Sequence, residues 1–294
     1  MSIEGQPLTP AASEWPVEGA PVPVHCRRIP NMGHALSFGI GTFLAIIFFQ
    51  VILLATHHSL LDPKIRAHAG HNTKLMLGSM ALAYVTSLLA AKFVFPLVWE
   101  MPFGLGLEWN GREGTRQLGK LFGVGLILGW IVQAISIFIS MPKSMPMDDF
   151  FRSRVDIWLV TGFGVFLAPL FEEIAFRGFL LPAVAYAFDW LAGNYAAERR
   201  PPSLDGRCAF TSAALIASAL FTSVGFALLH AEQLAHAWGA VAVLFSVSVV
   251  LTFVRIRTRS VAASTVVHMS YNFSVFLTIF LATGGYRHLE RMAR

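Results

Sequence analysis

Residues 160–188 read VTGFGVFLAPLFEEIAFRGFLLPAVAYAF, an apolar run interrupted by Glu172, Glu173 and Arg177. A run this long crosses a bilayer, which takes roughly 20 residues as a helix. An ionised side chain at membrane depth costs about 2.5–3.5 kcal/mol on insertion scales, so such residues face a cavity or the protein interior rather than lipid. Glu173 and Arg177 stand four residues apart on one helix face and are able to pair. Glu172 is rotated about 100° from Glu173 and lies off that face. The stretch predicts one paired carboxylate and one free one.

The rest of the chain extends this reading. Of 294 residues, 55% are hydrophobic and only 13% are charged, and the mean hydropathy is +0.61. A soluble globular protein carries about 25% charged residues, so the composition predicts a polytopic membrane protein. The formal net charge of +5 does not indicate nucleic acid, because no basic stripe interleaves with aromatics and Lys and Arg gather in the loops. Cys26 and Cys208 lie far apart in polar segments and build neither a disulfide framework nor a zinc spacing. Residues 1–32, rich in Pro, Ala and Glu, lack the basic-then-apolar form of a signal peptide and are expected to form a disordered polar tail.

Seven spans can be drawn. They run from about Ala35 to Thr56, Leu75 to Leu97, Leu118 to Met141, Val155 to Trp190, Phe210 to His230, Ala235 to Phe253 and Val261 to Ala282. The prolines of MPKSMPMDD close the third, and Pro169 in the long fourth span predicts a kink or break. Residues 191–209 form a polar loop, and Arg255, Arg257 and Arg259 form a short basic loop that sets topology or meets anionic lipid. Only helices or closed barrels satisfy every backbone group in lipid, and the alternating strands of a barrel are absent. The expected fold is therefore an all-α, polytopic transmembrane helix bundle of about seven spans. Its N-terminal helices occupy 33–145, its functional transmembrane domain 146–284 with a polar active-site cavity, and its basic tail 285–294. Arg27 and Arg28 place the amino terminus on the cytoplasmic side, although basic residues are nearly balanced between the two sides.

Three polar clusters occupy apolar helices in the second half: EEIAFR at 172–177, His230 at the end of FTSVGFALLH, and His268 with Asn272 in HMSYN. Each alone has an ordinary structural reading, as a packing histidine or a buried bridge. Three together leave polar atoms that must find partners. The chemistry that uses such a set is amide hydrolysis, which needs a general base and donors aimed at the developing oxyanion. A low dielectric disfavours a charged carboxylate and so suits it to taking a proton. Glu172, lacking the arginine, is the better base and Glu173 the orienter. His230 is placed to hold the water, and His268 and Asn272 to offer N–H groups to the carbonyl oxygen.

EExxxR at 172–177, FxxxH at Phe226–His230 and HxxxN at His268–Asn272 stand in that order on successive spans. Together they resemble the CAAX protease and bacteriocin-processing (CPBP, or Abi) family, whose eukaryotic relatives include the endoplasmic-reticulum protease that trims prenylated CAAX proteins. The resemblance covers roughly residues 150–280, with no substitution at a motif position. It implies an intramembrane endopeptidase in which Glu172 and His230 activate water and His268 and Asn272 stabilise the oxyanion. Early descriptions of such proteins as metalloproteases leave the metal open. The chain has no HExxH. Zinc held by Glu172, His230 and His268 stays geometrically possible, and a metal-free glutamate mechanism is favoured.

Two other classes compete: a non-catalytic scaffold or immunity protein of the same fold, and a transporter whose carboxylates relay protons. Internal repeat symmetry would favour the transporter, and none is visible between the halves. Expected partners are membrane lipids and a peptide or protein substrate, with its lipidation and the oligomeric state left open. The expected location is a prokaryotic inner membrane. His57, His58, His68 and His71 in the first loop, Glu232 and His236 after the fifth span, and Gly123, Gly125 and Gly129 in the third read as solvated or packing residues.

Overall fold

A computed structural model describes residues 27–56, 73–142, 145–151, 153–193 and 209–290. Cys26, Cys208, the first-loop histidines, most of the N-terminal tail and most of the 191–209 loop lie outside them. The described residues form helices and no β-strand: α1 (Met32–Thr56), α2 (Thr73–Trp99), α3 (Phe103–Gly106), α4 (Gly111–Arg116), α5 (Leu118–Ser136), α6 (Arg154–Leu191), α7 (Ser212–Leu229), α8 (Trp238–Thr258) and α9 (Val261–Ala282), with a 3₁₀ turn over Pro146–Phe151. Among them, α1, α2 and α5 to α9 are the seven long and apolar enough to cross a membrane. The molecule is an integral, multi-pass helical membrane protein.

Caps fix where helices begin. Asn31 Oδ1 accepts the His34 N–H while the Asn31 N–H donates to His34 Nδ1, a reciprocal cap on α1. Thr211 and Ser260 cap α7 and α9 by accepting the N–H three residues on. Thr211 is itself held by the Asp189 carboxylate through both its N–H and its hydroxyl.

The chain does not break at Pro169. Instead α6 stays helical through two wide π turns, Phe163–Leu167 and Ile174–Leu180, separated by the α-helical Ala168–Glu173. In the first, the Ala168 N–H reaches back five residues to Phe163 O. In the second, Leu181 does the same to Phe176 O. Each of those residues immediately precedes a proline, Pro169 and Pro182. A proline ring clashes with the carbonyl four residues back, and the wider turn moves that carbonyl aside without breaking the helix.

Two further expectations are corrected. The third span ends at Ser136 and not Met141. Ile137 and Phe138 lie 80% and 89% exposed in tight turns, so these two residues add no tertiary packing that would carry the helix further. The sixth span begins at Trp238, because Ala235 and His236 take left-handed backbone conformations, and it continues to Thr258. Arg255 and Arg257 therefore belong to its last turn, and only Arg259, left-handed at φ 48°, stands outside as the cap. Arg255 is buried and ion-paired with Glu108, so it ties α8 to the segment between α3 and α4 and does not sit in a solvated loop.

Two interfaces position the functional helices. At the first, α5 lies flush against α9: a Cβ on Gly125 would overlap Ser270 Oγ, and one on Gly129 would overlap Ser274 Oγ. At the second, α1 and α2 supply aromatic plates to α6. Phe38 stacks on Phe179 at 4.6 Å, and Tyr84 stacks on Phe171 at 3.8 Å.

Candidate active site

Glu173 and Arg177 are the most deeply buried charges of α6, with side chains 0% and 1% exposed. Arg177 Nη1 donates to Glu173 Oε1 at 2.9 Å, closing the pair that the four-residue spacing predicts. The other donors of the guanidinium are used as well. Nη2 reaches the Ser248 hydroxyl at 2.7 Å and its carbonyl at 3.0 Å, and Nε reaches Thr252 Oγ1 at 3.4 Å. Ser248 and Thr252 are one turn apart on α8, so the ion pair clamps α6 to α8. The Phe226 ring of α7 lies 4.9 Å from Arg177 Cζ, in cation–π range.

His268 of α9 completes the pair into a triad. Its Nδ1 is 3.0 Å from the same Glu173 oxygen that Arg177 holds. A carboxylate accepts, so Nδ1 carries the proton and Glu173 fixes the plane of the ring. The opposite nitrogen, Nε2, then points toward Glu172, whose Oε2 is 3.8 Å away. The Glu172 side chain is 19% exposed and makes no hydrogen bond with any described residue. Adjacent carboxylates are thus divided by helical rotation: one locked, the other open and facing an imidazole.

His230 caps the C-terminal end of α7 and is half-buried. Its Nδ1 lies 2.8 Å from Phe226 O, one turn back. A carbonyl only accepts, so Nδ1 is the protonated nitrogen and Nε2 keeps its lone pair in the neutral ring. Phe226 links the two histidines, its ring centroid 4.7 Å from His230 and 5.9 Å from His268. In FxxxH the phenylalanine is therefore a platform that touches Arg177, His230 and His268 together.

Asn272 stands one turn beyond His268 on α9. Its Nδ2 donates to Gly164 O at 2.6 Å. The π turn explains why that carbonyl is available. The next N–H in the register of Ala168 would come from Pro169, which has none, and the Asn272 amide supplies the missing donor. One amide hydrogen is spent on this clamp and a second remains.

Glu173 joins Arg177 to His268, His268 faces Glu172, Phe226 lies against Arg177, His268 and His230, and Asn272 is clamped to Gly164. Glu232 and His236 are exposed. The residues not singled out from sequence are Ser248 and Thr252, ordinary in a membrane helix and so without signal, and Phe226 as a platform. The two prolines that bracket EExxxR were the legible sign of the π turns. No three of the His, Cys, Asp and Glu residues described are arranged to hold a metal ion. The set considered for zinc, Glu172, His230 and His268, is not such a group, and no step through zinc is derived.

Residues 154–274 match a protein-family model described as Type II CAAX prenyl endopeptidase Rce1-like. The match bears out the family resemblance read from the three motifs and takes in all six of their polar residues. No curated protein and no solved structure matches the chain. At the level of the family, the match supports a CAAX-type intramembrane protease.

Proposed function

We propose that this protein hydrolyses a peptide bond of a membrane-associated protein or peptide with water activated by Glu172. The observation that carries the reading is the division of labour between adjacent carboxylates. Glu173 is fully buried and holds Arg177 and His268, whereas Glu172 is open and unbonded beside His268. The gap of 3.8 Å between Glu172 and His268 exceeds a direct hydrogen bond and accommodates a water against both.

In the reaction, the water oxygen attacks the carbonyl carbon as its proton passes to the Glu172 carboxylate. The neutral His230 ring, with a lone pair on Nε2, accepts a hydrogen bond from the same water and orients it. Charge gathers on the carbonyl oxygen. The remaining Asn272 N–H donates to it, and His268 donates from Nε2 when its ring carries both protons. The C–N bond then breaks, and the proton held by Glu172 moves to the departing nitrogen, giving a carboxylate product and an amine. Glu173 and Arg177 touch no reacting atom; they hold His268 in place.

The test is cleavage of a quenched-fluorescent peptide, farnesylated on the cysteine of a CAAX sequence or left unmodified, by protein in phospholipid vesicles. Glu172→Gln keeps the size of the side chain but takes up no proton, and a lost general base lowers the rate about 100- to 10,000-fold. The variant is expected to stay folded and to bind the peptide. Undiminished cleavage by Glu172→Gln, or no cleavage of either peptide by the unaltered protein, overturns the reading. Stoichiometric zinc in the purified protein that is lost with the substitution moves the mechanism to a metal.

A further inference from the structure

Tyr84 lies on α2, outside the residues matched by the family. Its ring stacks face to face on Phe171 at 3.8 Å and 8°, and on Phe163 at 5.7 Å and 29°. Those two phenylalanines bracket the site along one face of α6: Phe171 precedes Glu172, and Phe163 precedes Gly164, the residue that anchors Asn272. The stack holds the tyrosine ring against the residues that immediately precede Glu172 and Gly164 on α6.

A tyrosine in such a place ordinarily gives its hydroxyl to a backbone or side-chain acceptor. This one has no hydrogen-bond partner among the described residues, although the residue is only partly exposed. Phe171, the residue under its ring, is followed directly by Glu172. A packing role explains the ring but not the unpartnered hydroxyl, because phenylalanine would stack equally well. The oxyanion side of the site has room for a donor: Asn272 has spent one N–H on Gly164, and His268 has spent Nδ1–H on Glu173.

Building on the proposed protease reading, we infer that Tyr84 is a further catalytic residue, whose hydroxyl donates a hydrogen bond to the scissile carbonyl oxygen as it becomes negative. The phenol keeps its own proton throughout and only shares it, so no further group is consumed. The first two transmembrane helices thereby contribute a reacting group, and the site is not complete within 154–274.

Tyr84→Phe keeps the stack and deletes the hydroxyl. With the farnesylated CAAX peptide in vesicles, kcat is expected to fall about 100-fold, the lower end of the loss of one oxyanion donor. KM and the melting temperature are expected to stay as in the unaltered protein. Tyr84→Leu removes the plate as well and lowers the melting temperature, which separates packing from chemistry. An unchanged kcat in Tyr84→Phe, while Glu172→Gln is inactive on the same peptide, overturns the Tyr84 role and leaves the protease reading intact. A parallel fall of melting temperature and activity in Tyr84→Phe also overturns it, by making the residue structural. Cleavage that survives Glu172→Gln sinks both readings.

Discussion

The residue that decides the chemistry is chosen by a rotation of one position. Glu172 and Glu173 are chemically identical, yet about 100° of helix turns one into a sealed interior and the other toward an imidazole. Burial of Glu173 is sustained because Arg177 and His268 both hold its Oε1. Removing one partner of a buried pair leaves an uncompensated charge, a loss of about 3–5 kcal/mol. Arg177→Ala is therefore expected to lower the melting temperature sharply in detergent and to abolish cleavage as His268 loses its orientation. Arg177→Lys retains the charge but loses the fork that reaches Ser248 and Thr252, so it should recover only part of the stability. A fully stable and active Arg177→Ala protein would show that the clamp is dispensable.

At the scale of the element, α6 is two prolines and the accommodations they force. A π turn adds one residue to the helix, so everything before it is rotated by about 100° relative to a regular α-helix. The turn at Phe163–Leu167 thus sets which face of the early part of α6 meets α2 and α9. Pro169→Ala restores an N–H and allows the turn to relax toward α geometry, in competition with the Asn272 clamp on Gly164. Its expected outcome is an unchanged or raised melting temperature with reduced cleavage, measured on the same preparation. Asn272→Ala strands the Gly164 carbonyl, and an unsatisfied buried acceptor costs about 1–3 kcal/mol. That variant should lose both stability and cleavage. Wild-type cleavage by Pro169→Ala would show that the π turn does not position the site.

Across the whole molecule, the site depends on close helix packing as much as on its polar residues. α5 carries no catalytic group, yet it backs α9 through Gly125 and Gly129, where a Cβ would run into Ser270 and Ser274. Overpacking such a seam costs about 1–3 kcal/mol. Gly125→Leu and Gly129→Leu are expected to lower the melting temperature and, by displacing α9 with His268 and Asn272, to slow cleavage. Gly123 has open space beside it, and Gly123→Ala should be neutral or slightly stabilising through the better helix propensity of alanine. Equal effects at all three positions would refute the seam.

The sequence by itself determined that the chain is a seven-span helical membrane protein, because the length and purity of apolar runs are local properties that lipid reads directly. It also determined the Glu173–Arg177 pair and the freedom of Glu172, since helical periodicity alone separates them. The tertiary structure decided what no local rule contains. Which donor fills the carbonyl that Pro169 leaves open, and what becomes of Arg255, depend on helices distant in sequence. Asn272 lies 108 residues from Gly164, and Arg255 finds Glu108 across the fold. So does the placing of Tyr84, an unremarkable aromatic on α2 until its ring lies against Phe171. Apolar patterning tells a helix that it must be buried or face lipid, but only packing selects the neighbour, because in a membrane every apolar face is equally acceptable to the solvent and specificity falls to close contacts and shared polar atoms.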